Sequence, residues 1–174
     1  MIIIESTLIT YKLLEKIVNL ELKLSEYDRK LDELNSKLQT SKQEEFSHKI
    51  FYEGQVFDAY SLVIDIIESA ESKITLIDNY VDKSVLRMLT KKKSGVNVTL
   101  ITSNNCNLTK VDKNKFNKQY PTLKIDTTKR FHDRFIIVDD KKLYHCGASL
   151  KDLGKTCFAI TKMEDSNFIE KITI

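Results

Sequence analysis

Apolar side chains recur at alternating spacings of four and three residues through the N-terminal part of the chain. This heptad seam is unbroken, and such a pattern predicts a helix that supercoils left-handedly with a partner helix. The alternative is one long amphipathic helix that packs on its own domain. The seam consists of Leu13, Ile17, Leu20, Leu24, Tyr27, Leu31, Leu34 and Leu38.

The charges beside the heptad seam indicate how two copies pair. All four g positions of the heptads, at 16, 23, 30 and 37, are lysine. In a parallel pair Lys16 of one copy faces Glu21 of the other, and Lys23 faces Asp28, whereas an antiparallel pair sets lysine against lysine. We therefore expect residues 1–46 to form a parallel coiled coil and the protein to be a homodimer.

Beyond a polar stretch at 39–45, apolar segments of strand length alternate with helical patterns. Helices are expected at 57–70, 83–93, 109–120 and 150–155 and from Ser166, with Asp82 and the Thr109–Asp112 capping box at two of the N-termini. The alternation predicts an α/β domain over 47–174, with a mostly parallel sheet flanked by helices. Strands are expected at 49–52, 73–78, 96–102, 123–125, 131–138, 142–146 and 158–162.

The amino-acid composition is typical of a folded protein without a membrane-spanning helix. Of 174 residues, 41% are hydrophobic and 30% are charged, so the chain has enough apolar residues for a core. No apolar run reaches the roughly 20 residues of a membrane helix, and the start lacks the features of a signal peptide. The three cysteines form no CxxC pair, which favours a reducing cytoplasm, and no metal-ligand spacing is present. We expect neither a metal nor a cofactor.

Charge is concentrated in one segment of the chain. Residues 83–130 hold 12 basic and 2 acidic side chains, although the whole chain carries a net charge of only +3. The segment includes the run Lys91, Lys92 and Lys93, which we expect to bind nucleic-acid phosphates. A solvated helix face is the alternative explanation for this run.

The candidate catalytic residues are concentrated at 131–139, with the sequence FHDRFIIVD. If this segment is a strand, His132 and Arg134 project from the same face. An imidazole beside a permanent cation suits attack at phosphorus, because the guanidinium neutralises the phosphate oxygens. Asp139 follows, where a carboxylate could orient another group. Tyr80 lies after the strand at 73–78, where α/β sheets bind ligands, and either stacks on a base or packs at the edge of the core.

The same residues resemble the signature of the phospholipase D superfamily, His-x-Lys-x4-Asp followed by a Gly-Ser turn. His132, Arg134 and Asp139 match its spacing, and the segment 147–149 (GAS) is similar to the turn. The segments 54–60 (GQVFDAY), 76–82 (LIDNYVD) and 147–162 resemble a bacterial and prophage subgroup. The resemblance covers about residues 50–172 and implies a phospholipase-D-like fold.

The resemblance also implies a mechanism that needs no metal. His132 would form a phosphohistidine, and a second histidine, supplied by another copy of the chain, would protonate the leaving group. Arg134 would hold the phosphate, and Ser149 would hydrogen-bond the nucleophile or the phosphate.

Several positions depart from the family pattern. Arginine replaces lysine at 134, no asparagine follows the Gly-Ser-type turn, and Asp140 competes with Asp139 for the role of the motif acid. Nucleic-acid phosphodiesterase is the first hypothesis. The alternatives are a catalytically degenerate nucleic-acid-binding module of a phage or mobile-element regulator and, behind it, a lipid phosphodiesterase.

Overall fold

The computed structural model describes residues 2–41, 46–104 and 106–172, which fall into two compact units, Met1–Glu45 and Phe46–Ile174. The described residues of the first unit form one helix, α1 (Ile2–Ser41), whose 40 residues span about 60 Å. From Leu13 to Leu34 every side chain of the heptad seam is at least 50% exposed. Leu38 lies outside the side chains that the structure describes. The helix agrees with the sequence, while its pairing into a coiled coil stays a prediction.

The second unit is an α/β domain with a seven-stranded sheet in the order β1-β7-β6-β5-β2-β3-β4. The helices are α2 (Val56–Glu68), α3 (Lys83–Leu89), α4 (Lys110–Gln119) and α5 (Ser166–Ile172), and a 3-10 turn spans Leu150–Asp152. The strands are β1 (His48–Phe51), β2 (Lys73–Ile77), β3 (Asn97–Thr102), β4 (Leu123–Thr127), β5 (Arg134–Val138), β6 (Lys142–Cys146) and β7 (Phe158–Met163).

The predicted α/β class is confirmed, but the sheet is mixed rather than mostly parallel. Parallel pairing is confined to β2, β3 and β4, while β5 runs antiparallel to β2, and β5, β6, β7 and β1 pair antiparallel in turn. A parallel return needs a long crossover, usually a helix. No α-helix separates β4 from β5, β5 from β6 or β6 from β7. Strand and helix therefore alternate only through the first half of the domain.

Both faces of the sheet are covered. The larger apolar cluster joins the sheet to α2, α3 and α4, and a smaller one joins the opposite face to α5 through Ile169. The two helix N-termini predicted from the sequence are both present. Asp82 accepts a hydrogen bond from the backbone N–H of Ser84, and Thr109 and Asp112 form the reciprocal capping box of α4. No helix in the described part of the chain has the length and apolar character needed to cross a membrane.

Candidate active site

A pocket of about 330 Å³ opens at the end of the sheet where β2 and β3 finish and β5 begins. Three of the predicted site residues, His132, Arg134 and Tyr80, line it together. Lys129, just before β5, contributes a second cation from the basic segment of the chain. The pocket thus combines an imidazole, two cationic side chains and an aromatic ring. Such a set of groups is suited to bind a phosphate and the organic group attached to it.

His132 reaches this pocket by a different route from the one that the sequence predicted. Strand β5 begins at Arg134, and His132 lies in the bend before it with an exposed side chain. Strand alternation therefore does not explain why the two side chains meet. The bend brings them to the same pocket and leaves the imidazole accessible from solvent.

Arg134 is half-buried at the pocket wall. The carbon at the centre of its guanidinium lies 5.8 Å from the centroid of the Tyr80 ring. Its Nε is buried and has no hydrogen-bond partner among the described residues. A buried donor without a partner costs free energy, so a bound oxyanion that accepts a hydrogen bond from this guanidinium would stabilise it.

Asn79 connects the end of β2 to the bend that carries His132. Its side-chain Nδ2 donates a hydrogen bond to the carbonyl oxygen of Phe131 at 2.8 Å, one residue before the histidine. The hydroxyl of Ser103, after β3, donates in turn to the backbone carbonyl oxygen of Asn79 at 2.9 Å. Three chain segments are thereby tied together one residue before His132. The sequence analysis did not predict these hydrogen bonds.

Ser149 lies at the same end of the sheet, but its hydroxyl is engaged with a carboxylate. Ser149 Oγ donates to Asp78 Oδ2 at 2.8 Å, and the backbone N–H of Leu150 donates to the same oxygen at 2.9 Å. The other oxygen, Asp78 Oδ1, accepts from the N–H of Tyr80 at 3.0 Å. Asp78 is fully buried, and it links the turn after β6 to the segment that bears Tyr80. The feature of the sequence that indicates this linking role is an acidic residue, Asp78, at the end of an apolar strand.

Asp139 lies at the opposite end of β5, roughly 16 Å from Arg134 along the strand. Its carboxylate accepts hydrogen bonds from the backbone N–H groups of Glu71, Ser72 and Lys73 and from the Ser72 hydroxyl. Burial acts to raise the pKa of Asp139, but these hydrogen bonds outweigh it and lower the pKa to about 2. Asp139 therefore fixes the start of β2 and is absent from the pocket.

Asp140 lies outside the pocket as well. It forms a partly exposed ion pair with Lys73 at 3.0 Å. Of the two candidates for the motif acid, Asp139 is the one bound by several backbone groups. Neither acid contacts the candidate nucleophile.

The lysine run at 91–93 does not line this pocket. Lys92 is 8% exposed, and its Nζ donates to the Pro121 carbonyl at 2.8 Å, while burial lowers its pKa. Lys92 therefore offers little surface to a phosphate, because α3 ends at Leu89 and the following turn directs this side chain inward, while phosphate binding by the run stays a prediction. Lys93 forms an ion pair with Glu71 at the Asp139 end of the sheet, and Lys91 is exposed.

Solved structures that share this fold include two bacterial proteins. NucT from Helicobacter pylori is 19% identical, with a TM-score of 0.51, and the match covers 74% of this chain and 92% of that one. Nuc from Salmonella typhimurium, a phospholipase D family member, is 22% identical, with a TM-score of 0.54, and the match covers 73% of this chain and 89% of that one. The chain has the phospholipase D fold. No family model matches the sequence, and no curated protein matches it.

The phospholipase D fold expected from the sequence is thus confirmed, but the fold alone does not select a reaction. Polyphosphate kinase from Porphyromonas gingivalis shares it at 14% identity, with a TM-score of 0.50, over 74% of this chain and 21% of that one. The residues of the pocket, rather than the fold, therefore decide the reaction. Among the described residues, no group of three or more histidine, cysteine, aspartate or glutamate side chains could hold a metal ion.

Proposed function

We propose that this protein is a phosphodiesterase that cleaves nucleic acid, with His132 as the nucleophile and Arg134 as the phosphate-binding residue. The observation that carries the proposal is their shared pocket in a phospholipase D fold. The accessible imidazole and the half-buried guanidinium line the same pocket, so one bound phosphate can contact both. Nuc, a phospholipase D family member, has the same fold, and this likeness is consistent with phosphodiester chemistry at the pocket.

The proposed reaction has two displacements at phosphorus. A nitrogen of His132 attacks the phosphorus, and the bond to the leaving oxygen breaks as that oxygen takes a proton from His132 of a second copy. Water then attacks the phosphohistidine, gives a proton to the second histidine, and breaks the P–N bond. Arg134 neutralises charge on the equatorial oxygens in both steps, and electrostatic stabilisation of this kind is commonly the largest contribution to catalysis.

A second copy is part of the proposal because the pocket holds one histidine. The exposed heptad seam of α1 supports a parallel coiled coil between two chains. Such a coil has a twofold axis and would hold the two domains at high effective concentration. Nucleic acid is favoured as the substrate because Lys129 and Arg134 place two cations in the pocket, and binding should weaken as salt concentration rises.

The test is cleavage of labelled single- and double-stranded oligonucleotides in the presence of EDTA. We expect His132→Ala to abolish cleavage and the His48→Ala control, at another exposed histidine, to leave it unchanged. Arg134→Ala should cost about 2–4 kcal/mol of transition-state stabilisation. Acid-labile phosphate on His132 would identify the intermediate. Binding without cleavage by the wild-type protein would refute the enzyme and favour a binding module.

A further inference from the structure

Tyr80 has surroundings that distinguish it from a tyrosine packed at the edge of the core. It is 48% exposed, whereas its neighbours Asp78 and Val81 are completely buried. It belongs to neither apolar cluster of the domain. Its backbone N–H is nevertheless fixed by the Asp78 carboxylate at 3.0 Å. The exposed ring at the pocket is therefore carried by a backbone segment that is hydrogen-bonded to a buried carboxylate.

The position of this ring relative to the cations suggests what it binds. Arg134 lies against the ring, 5.8 Å from its centroid, and His132 lines the same pocket. A phosphate held by Arg134 would thus have an aromatic surface beside it. Nucleic acid places a base beside each phosphate, and bases stack readily on exposed aromatic side chains.

We propose that the pocket takes an unpaired nucleotide, with its base stacked on Tyr80 and its phosphate at Arg134, so that the substrate is single-stranded nucleic acid. The phosphate position rests on the proposed function, while the stacking contact rests on Tyr80. In a duplex the faces of each base are covered by its neighbours, so such a base reaches an aromatic ring only after it leaves the stack. The pocket volume of about 330 Å³ is at the small end for ligand sites, which suits one nucleotide.

The chain contains no tryptophan, so Tyr80→Trp introduces a single indole fluorophore at the subsite. We would make this change together with His132→Ala, so that binding is measured without turnover. A single-stranded oligonucleotide should quench the indole fluorescence, and the same sequence as a blunt duplex should not. No quenching by the single strand, or equal quenching by both, would overturn the proposal.

Binding affinity provides a second measurement in the His132→Ala background. Tyr80→Ala should weaken binding of a labelled single strand about 5- to 160-fold, the range expected when one stacked base is lost, while Tyr80→Phe retains it. The matched control is Tyr52→Ala, at a 66% exposed tyrosine beside β1, a strand at the sheet edge. Equal losses for Tyr80→Ala and Tyr52→Ala would refute the subsite.

The two proposals fail in distinguishable ways. Cleavage that depends on His132 but is unaffected by Tyr80→Ala would contradict the stacking subsite and leave the phosphodiesterase intact. Selective quenching of the Tyr80→Trp indole by single strands, combined with a wild-type protein that cleaves nothing, would contradict the enzyme and support the subsite.

Discussion

Replacing Asp139 by asparagine tests the structural role of this acid. The carboxylate accepts hydrogen bonds from three consecutive backbone N–H groups, at residues 71 to 73, and from the Ser72 hydroxyl. An asparagine side chain has one acceptor oxygen and directs an NH₂ group towards donors. Position 139 has φ of 54°, a left-handed conformation that asparagine tolerates well, so the change tests the hydrogen bonds rather than the backbone.

The magnitude follows from the pKa of Asp139, which falls from 3.8 to about 2 on folding. At about 1.36 kcal/mol per pKa unit this corresponds to at most roughly 2.4 kcal/mol, and solvent screening at this partly exposed turn reduces it to about 1–2 kcal/mol. Because the pKa is lowered in the folded state, this stability is complete above pH 4. It is lost as the pH falls towards 2.

The assay is urea unfolding followed by circular dichroism at pH 7, 4, 3 and 2. Asp139→Asn should be about 1–2 kcal/mol less stable than the wild type at pH 7, and the two should converge near pH 2. The matched control is Asp140→Asn, which removes one partly exposed ion pair and should cost less than about 1 kcal/mol. A loss no larger for Asp139→Asn than for Asp140→Asn, or one independent of pH, would refute the reasoning.

Three further changes test other parts of the molecule. Asn79→Ala should lower kcat for oligonucleotide cleavage by up to about 100-fold with little change in KM, since it removes the hydrogen bond that holds the bend carrying His132. An unchanged kcat would exclude a role of Asn79 in positioning His132. Lys92→Glu should lower the free energy of unfolding by more than about 2 kcal/mol, because it buries an unpaired carboxylate beside a carbonyl. The control is Lys91→Glu, at an exposed position, which should change the free energy of unfolding by less than about 0.5 kcal/mol. Equal effects of the two changes in denaturant titrations would contradict the burial of Lys92. Leu24→Lys with Leu31→Lys should lower dimer affinity in sedimentation equilibrium, and a wild-type chain that is monomeric at micromolar concentration would exclude the coiled-coil pair.

Features that depend on residues near one another in the sequence could be predicted without the structure. Helix α1 follows from its uninterrupted periodicity, and the N-terminus of α4 follows from Thr109 and Asp112, three positions apart. Strand β6 was predicted at its observed bounds, and the end of β2 was placed within one residue. Local periodicity and capping operate over a few residues, so the sequence displays them directly.

Features that depend on distant residues required the tertiary structure. The Asp78–Ser149 hydrogen bond joins positions 71 residues apart, and Asn79 reaches the Phe131 carbonyl across 52 residues. The sequence analysis predicted a mostly parallel sheet and missed the antiparallel direction of β5, because an apolar strand has the same pattern whether its neighbour runs parallel or antiparallel. The sequence by itself determined the elements and the chemistry available at His132 and Arg134. Tertiary packing decided that these side chains share a pocket with Tyr80, whereas Asp139 and Lys92 make hydrogen bonds that stabilise the fold. The physical reason is that burial and hydrogen-bond partners are set by groups that are brought together only on folding.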